Sequence, residues 1–157
     1  MPRTSASPAT PPPSSPTVRD RLRRQATRDT GPEIAVRKEL HRRGLRYRLH
    51  RKLLGRARRT TDIVFPGSRV AVDVRGCWWH GCGEHRPLPK ANKEWWSQKL
   101  ERNRDRDRET VRLLRAAGWT VIVVWEHEEV CHAADRIELA VRGHGRGDDR
   151  SDFPQPS

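Results

Sequence analysis

The stretch Val70-Ala-Val-Asp-Val-Arg-Gly-Cys-Trp-Trp-His-Gly-Cys-Gly-Glu-His85 constrains this chain more than any other. An apolar strand runs straight into a loop that holds cysteines, histidines and a pair of adjacent tryptophans. Cys77, Cys82 and His85 form C-x4-C-x2-H, a spacing and a ligand chemistry suited to a structural zinc. A tetrahedral zinc needs a fourth ligand, and one drawn from far along the chain would staple distant segments together. His80 lies inside this knuckle and need not be a ligand. A histidine held rigidly beside a metal, with an acid upstream at Asp62, is how metal-dependent hydrolases are often built.

Three cysteines are an odd number, and the sequence shows neither a signal-peptide pattern nor a membrane-length apolar run. A disulfide scaffold and a membrane protein are therefore not expected, and a reducing cytoplasm is. At 157 residues, one compact domain is expected. The 33 Lys and Arg against 20 Asp and Glu leave a formal charge of +13. An excess of that size fits a polyanionic partner, DNA or RNA, although an arginine-rich composition also follows from a GC-rich genome.

Residues 1–17 are rich in Pro, Ser, Thr and Ala, and residues 143–157 in Gly, Asp, Arg and Pro. Neither end has the apolar periodicity to bury a core, so both read as disordered tails around a domain at 18–142. Thr30-Gly-Pro-Glu33 is a capping box with an early proline, and it predicts a helix closed by Gly44. Leu45 to His50 predicts a strand. Asp62 to Phe65, a Pro66-Gly67 turn and Arg69 to Val74 predict a β-hairpin with Val70, Val72 and Val74 on one face and Ala71, Asp73 and Arg75 on the other. A long helix is expected over Asn92 to Ala117, closed by Gly118. Thr120 to Val124 reads as a strand buried on both faces, and Ala134 to Val141 as a short last helix. The order α-β-β-β-α-β-α implies a mixed sheet flanked by helices, an α/β fold.

Two acidic features stand out against this frame. On the long helix, Trp96, Leu100, Val111 and Leu114 form one stripe, and Asn103 and Asp107 fall within it. A carboxylate in such a stripe requires a partner, either one of the many arginines or a functional group. Asp62 and Asp73 give D-x10-D-x-R, a layout similar to the D…(D/E)-x-K of metal-dependent nucleases. Two carboxylates so placed can hold Mg²⁺, which prefers oxygen ligands and keeps bound water.

These residues, taken together, closely resemble the very short patch repair mismatch endonucleases. The resemblance is carried by Thr27-Arg-Asp-Thr30 with Glu33, by Asp62 to Phe65, and by Gly76 to Cys82 with His85. It continues through Pro89 to Asn92, Trp96, Lys99, Asn103, Arg106, Asp107, and Gly118-Trp119 to His127. It covers about residues 21–128.

The resemblance implies a restriction-endonuclease-like α/β core with a structural zinc. It further implies Mg²⁺-dependent nicking of one strand just 5′ of the thymine in a T·G mismatch, the lesion left when 5-methylcytosine deaminates. By position, Asp62 is similar to the family's metal-binding aspartate and His80 to its catalytic histidine, while Glu33 and Asp107 resemble its supporting acids. Cys77, Cys82, His85 and His127 resemble the zinc set, with Cys131 a rival to His127. Trp78 and Trp79 resemble an aromatic wedge that enters the duplex beside the mismatch, and Leu22 a second wedge from the opposite groove.

The chain departs from the family on one strand face. Arg75 stands where many members have an acidic or imidazole side chain, and Asp73 where an apolar residue is common. The second Mg²⁺ ligand is therefore open between Asp73 and the Val74 carbonyl. Two other readings of the sequence are a zinc-containing DNA-binding module without cleavage and a restriction-type nuclease acting on other DNA. The expected setting is a cytoplasmic, nucleoid-associated monomer that acts on duplex DNA, alongside other repair proteins.

Overall fold

The computed structural model describes residues 28–55, 58–77, 80, 82 and 90–144. Within them lie helices α1 (Gly31–Arg42), α2 (Lys93–Ala116) and α3 (Val130–His144), and strands β1 (Arg48–Arg51), β2 (Thr61–Phe65), β3 (Val70–Arg75) and β4 (Thr120–Trp125). The element order is the one read from sequence. The four strands form one mixed sheet in the order β1-β2-β3-β4. β1, β2 and β3 are antiparallel neighbours, and β4 joins β3 in parallel after the α2 crossover.

The main core lies on one face of the sheet. Val36 and Leu40 of α1 pack there with Ile63, Phe65, Val70 and Val72 of the hairpin and with Ala133, Ala134 and Ile137 of α3. α2 lies on the opposite face, where its Val111 and Leu114 line a cleft with Ala71 and Val121 of the sheet. Alternation along β3 therefore decides the division of labour, with valines to the core and Ala71 and Asp73 to the cleft. Ile137 is fully buried. We expect Ile137→Ala to lower stability by about 2–5 kcal/mol, the usual cost of an emptied core site, and a thermal unfolding series checks it.

Element boundaries differ from the sequence reading for identifiable reasons. After α1, Gly44 adopts φ 76°, and the N–H groups of Gly44 and Leu45 donate back to His41 and Leu40 at 2.9 and 3.0 Å. This closure engages Leu45, so β1 begins at Arg48 rather than Leu45. The hairpin turn uses residues 66–69, with Arg69 at φ 52°, and β3 starts at Val70. Arg69 then donates to the Ala117 carbonyl at 2.7 Å and lies over Trp119, tying the hairpin turn to the end of α2.

The last helix starts at Val130, four residues before Ala134, and runs to His144. The Glu129 carboxylate accepts the N–H groups of Cys131 and His132 at 3.2 Å each and so caps the first turn. The expectation that Thr120–Val124 is buried on both faces is not met. Only Val124 in β4 is buried and the other positions are intermediate; among the described residues β4 is the edge of the sheet, with β3 on one side only. Residues 1–17 lie outside the described residues, as do Leu22, Trp78, Trp79 and His85, and 145–157 at the other end.

Candidate active site and metal cluster

The chemistry-bearing residues collect at one end of the sheet because of strand direction. β2 begins at that end, and β1, β3 and β4 finish there. In the β3–β4 register, Arg75 faces Trp125. The residues two further on, Cys77 and His127, therefore leave the sheet side by side. The Cys77 Sγ lies 2.9 Å from His127 Nδ1, and the Cys82 Sγ lies 3.6 Å from the same nitrogen. The three ligand atoms are all within 4.8 Å of one another, with both cysteines buried. Cys131 is exposed on α3 and is not in this cluster.

Two features show that this pocket suits a metal. Its donors are two sulfurs and an imidazole, the set that zinc takes in structural sites, and their spacing approaches the edge of a zinc tetrahedron, about 3.6 Å. Burial, and then the adjacent Cys82 thiol, push the Cys77 thiol up to about 11. A cation would reverse that preference and hold the thiolates. Glu126, next to His127, fixes the loop by accepting the Cys77 N–H at 2.7 Å. The sequence reading passed over Glu126.

The β2–β3 register brings the two aspartates together in the same way. Ile63 pairs with Val72, so Asp62 and Asp73 stand one step further along the ladder. One Asp62 oxygen accepts the Val74 N–H at 2.8 Å. Burial, then the Asp73 charge, raise the Asp62 carboxyl to about 8, and Glu33 adds to the push. A half-buried acid among like charges is a place where a divalent cation is welcome. Asp73 is held by Arg75, whose Nε donates to it at 2.8 Å. Arg75 itself is nearly buried and lies over the Trp125 ring.

The raised Asp62 carboxyl has a sign in the metal-free protein. The folded state binds this proton more tightly than the unfolded chain, whose ordinary value is 3.8. Ionising Asp62 therefore destabilises the fold progressively as pH rises from that value to about 8. We expect the thermal midpoint of protein free of Mg²⁺, with the cysteine–histidine cluster left loaded, to fall over this window relative to Asp62→Asn, with the two curves meeting at the acid end. Parallel curves would contradict the assignment.

His80 and Asp107 complete the arrangement. His80 Nδ1 meets Asp107 Oδ2 at 2.7 Å, with the Asp107 side chain only 16% exposed. Among the described residues, the carboxylate in the α2 stripe thus finds an imidazole as its partner and not an arginine. Both residues line a cleft of about 170 Å³ with Asp73, Arg59 and Arg106. Arg59 is anchored on α2 through Thr110 and Glu109 at 2.9 and 2.6 Å.

Glu33 sits at the start of α1, where Thr30 caps it by accepting its N–H at 3.4 Å. Its carboxylate is buried and accepts the Asp29 N–H at 3.1 Å and Arg37 Nη1 at 3.3 Å. Sequence reasoning placed Glu33 but missed Asp29, Arg37 and His50 around it.

The family model described as DNA mismatch endonuclease Vsr matches residues 15–86. The chain is 47% identical over 117 residues to the type II nicking enzyme V.XorIIP of Xanthomonas oryzae pv. oryzae, covering 74% of this chain and 81% of that one. It is 44% identical to the type II nicking enzyme V.NaeI of Lentzea aerocolonigenes, over 72% and 70% of the two chains. It is 34% identical over 136 residues to the DNA mismatch endonuclease Vsr of Escherichia coli, over 79% and 83%. These similarities define the class of the protein as a DNA endonuclease that nicks its substrate. The chain belongs to the DNA mismatch endonuclease Vsr family. Membership sets aside the reading of a DNA-binding module without cleavage. Among the described residues no helix is long and apolar enough to cross a membrane.

Proposed function

We propose that the protein nicks one strand of duplex DNA 5′ of the thymine in a T·G mismatch, and so initiates very short patch repair. The observation that carries this reading is the convergence, at one sheet end, of a half-buried acid pair, Asp62 and Asp73, with a histidine oriented by an aspartate, His80–Asp107. Mg²⁺ would be held by Asp62 together with Asp73 or the Val74 carbonyl. When bound, it supplies charge stabilisation for the phosphoryl oxygens and an acidified water.

The chain's own groups do the rest. Asp107 occupies His80 Nδ1, which fixes the ring and leaves Nε2 for proton transfer at the scissile phosphate. Glu33 supports Asp62 and helps to order the water around the site. Arg59 and Arg106 on the rim of the cleft attract the phosphate backbone, consistent with the net charge of +13. Zinc is held by Cys77, Cys82 and His127, with His85 as the fourth ligand, and fixes the loop that carries His80. The protein acts as a monomer in the cytoplasm, on the nucleoid, beside other repair proteins.

Mismatch choice is assigned to Trp78 and Trp79, with Leu22 opposite. Opening a base step costs a few kcal/mol, and a mispair opens more cheaply than a matched pair. We expect the Trp78→Ala/Trp79→Ala double variant to lose its preference for T·G over matched duplex. Base–aromatic stacking of about 1–3 kcal/mol corresponds to about fivefold to a hundredfold or more in rate. Strand-specific end labels map the cut, and zinc content and thermal unfolding check the fold. A folded double variant that keeps the preference would show the tryptophans to be core. The relatives named as type II nicking enzymes favour a second reading, nicking of other DNA duplexes, and the same assay on a panel of other mismatches decides it.

A further inference from the structure

His50 is the least expected residue at the active end of the sheet. The pairs Leu49–Ile63 and Arg51–Thr61 flank it, so it stands across the ladder from Asp62. It holds φ 48°, a left-handed backbone inside a strand. A side chain with a Cβ adopts that conformation at a cost, and it persists where surrounding contacts over-determine it. Its Nδ1 is buried and finds no partner among the described residues. Packing alone gives no reason for an imidazole here, since an apolar side chain would leave no ring nitrogen unmet.

The other ring nitrogen accounts for the residue. His50 Nε2 hydrogen-bonds Asp29 Oδ1 at 3.5 Å and lies at ion-pair distance, 3.4 Å, from Glu33 Oε1. Both oxygens belong to carboxylates that act as acceptors, so Nε2 carries the hydrogen. Arg37 closes the network by donating to the same Asp29 and Glu33 oxygens. Asp29 is itself left-handed, at φ 54°. Asp29, Glu33 and His50 lie close enough together to hold a cation, but the Arg37 guanidinium already spans both carboxylates.

We infer that His50 is a positioning residue for the nicking reaction: through Nε2 it fixes the Glu33 carboxylate beside Asp62 and so sets the geometry of the acid cluster. This rests on the reading of Glu33 as a supporting acid. His50 is mostly buried, with its side chain 16% exposed, and it acts through Glu33 rather than on the DNA.

The test uses the full chain with Mg²⁺ and the duplex it nicks fastest, with maximal rate and duplex affinity measured separately. His50→Asn keeps a residue that tolerates the left-handed backbone, but its amide nitrogen overlays Nδ1 and falls short of Glu33. His50→Gln carries its nitrogen to the Nε2 position. His50→Asn is expected to lower the maximal rate by about tenfold to a hundredfold, the scale of a misplaced catalytic group, with affinity unchanged. His50→Gln is expected to recover most of that loss. His50→Asn combined with Glu33→Gln is expected to be no slower than Glu33→Gln alone, because the two act as one unit.

A folded His50→Asn protein that nicks at the parental rate while Glu33→Gln is slow would overturn the inference alone. So would a double variant in which the two losses multiply. Glu33→Gln at the parental rate would instead sink the role of Glu33, and the inference with it.

Discussion

Asp62→Ala is expected to abolish Mg²⁺-dependent nicking, by about a thousandfold or more, while duplex binding is kept or strengthened. Several kcal/mol of charge stabilisation in the transition state correspond to that factor. Asp62 is the acid on which the local electrostatics converge. Burial, Asp73 and Glu33 all raise the cost of its charge, so a divalent cation gains most there. DNA binding relies on the surplus of 33 basic over 20 acidic residues, and removing one more acid lessens repulsion of phosphate. A nicking time course with and without Mg²⁺, beside a gel-shift titration, measures both. Nicking within tenfold of the parent by a pure Asp62→Ala sample contradicts the assignment.

Cys82→Ala is expected to have its largest effect on the fold. Cys77, Cys82 and His127 join the loop after β3 to the end of β4, and a structural zinc held there would add its binding free energy to folding. The parent is expected to carry one zinc per chain. The variant is expected to carry none and to lose at least about 10 °C in thermal midpoint, or to be recovered unfolded. Metal analysis and thermal scans of the two proteins decide it. A well-folded parent without zinc contradicts the staple.

Much of this arrangement is legible in the sequence because strand periodicity and register carry it. Val70, Val72 and Val74 announce a core face, and the same alternation sends Asp73 to the other side. Asp62 and Asp73 can be related from the sequence alone because a hairpin fixes their opposition. His127 is a weaker case. Only the parallel pairing of Arg75 with Trp125 sets it beside Cys77, and no local pattern encodes that contact.

What the sequence hides is contact chemistry with no periodic signal. The Glu129 cap moves the start of α3 because a glutamate rarely advertises a helix end. His50 looks like any polar residue at a strand end, and its approach to Glu33 joins β1 to the start of α1. The composition of β4 resembles a central strand, whereas its place at the sheet edge follows from connectivity.

The central claim is tested most directly by one ratio, the initial rate of nicking at a single T·G mismatch against the same duplex with the mismatch repaired to T·A, in Mg²⁺. The account predicts a cut confined to the thymine strand, immediately 5′ of the mispaired thymine, and a rate at least about tenfold above the matched duplex, the scale of one base-stacking contact. Equal rates on the two duplexes, or cleavage of both strands, would contradict it.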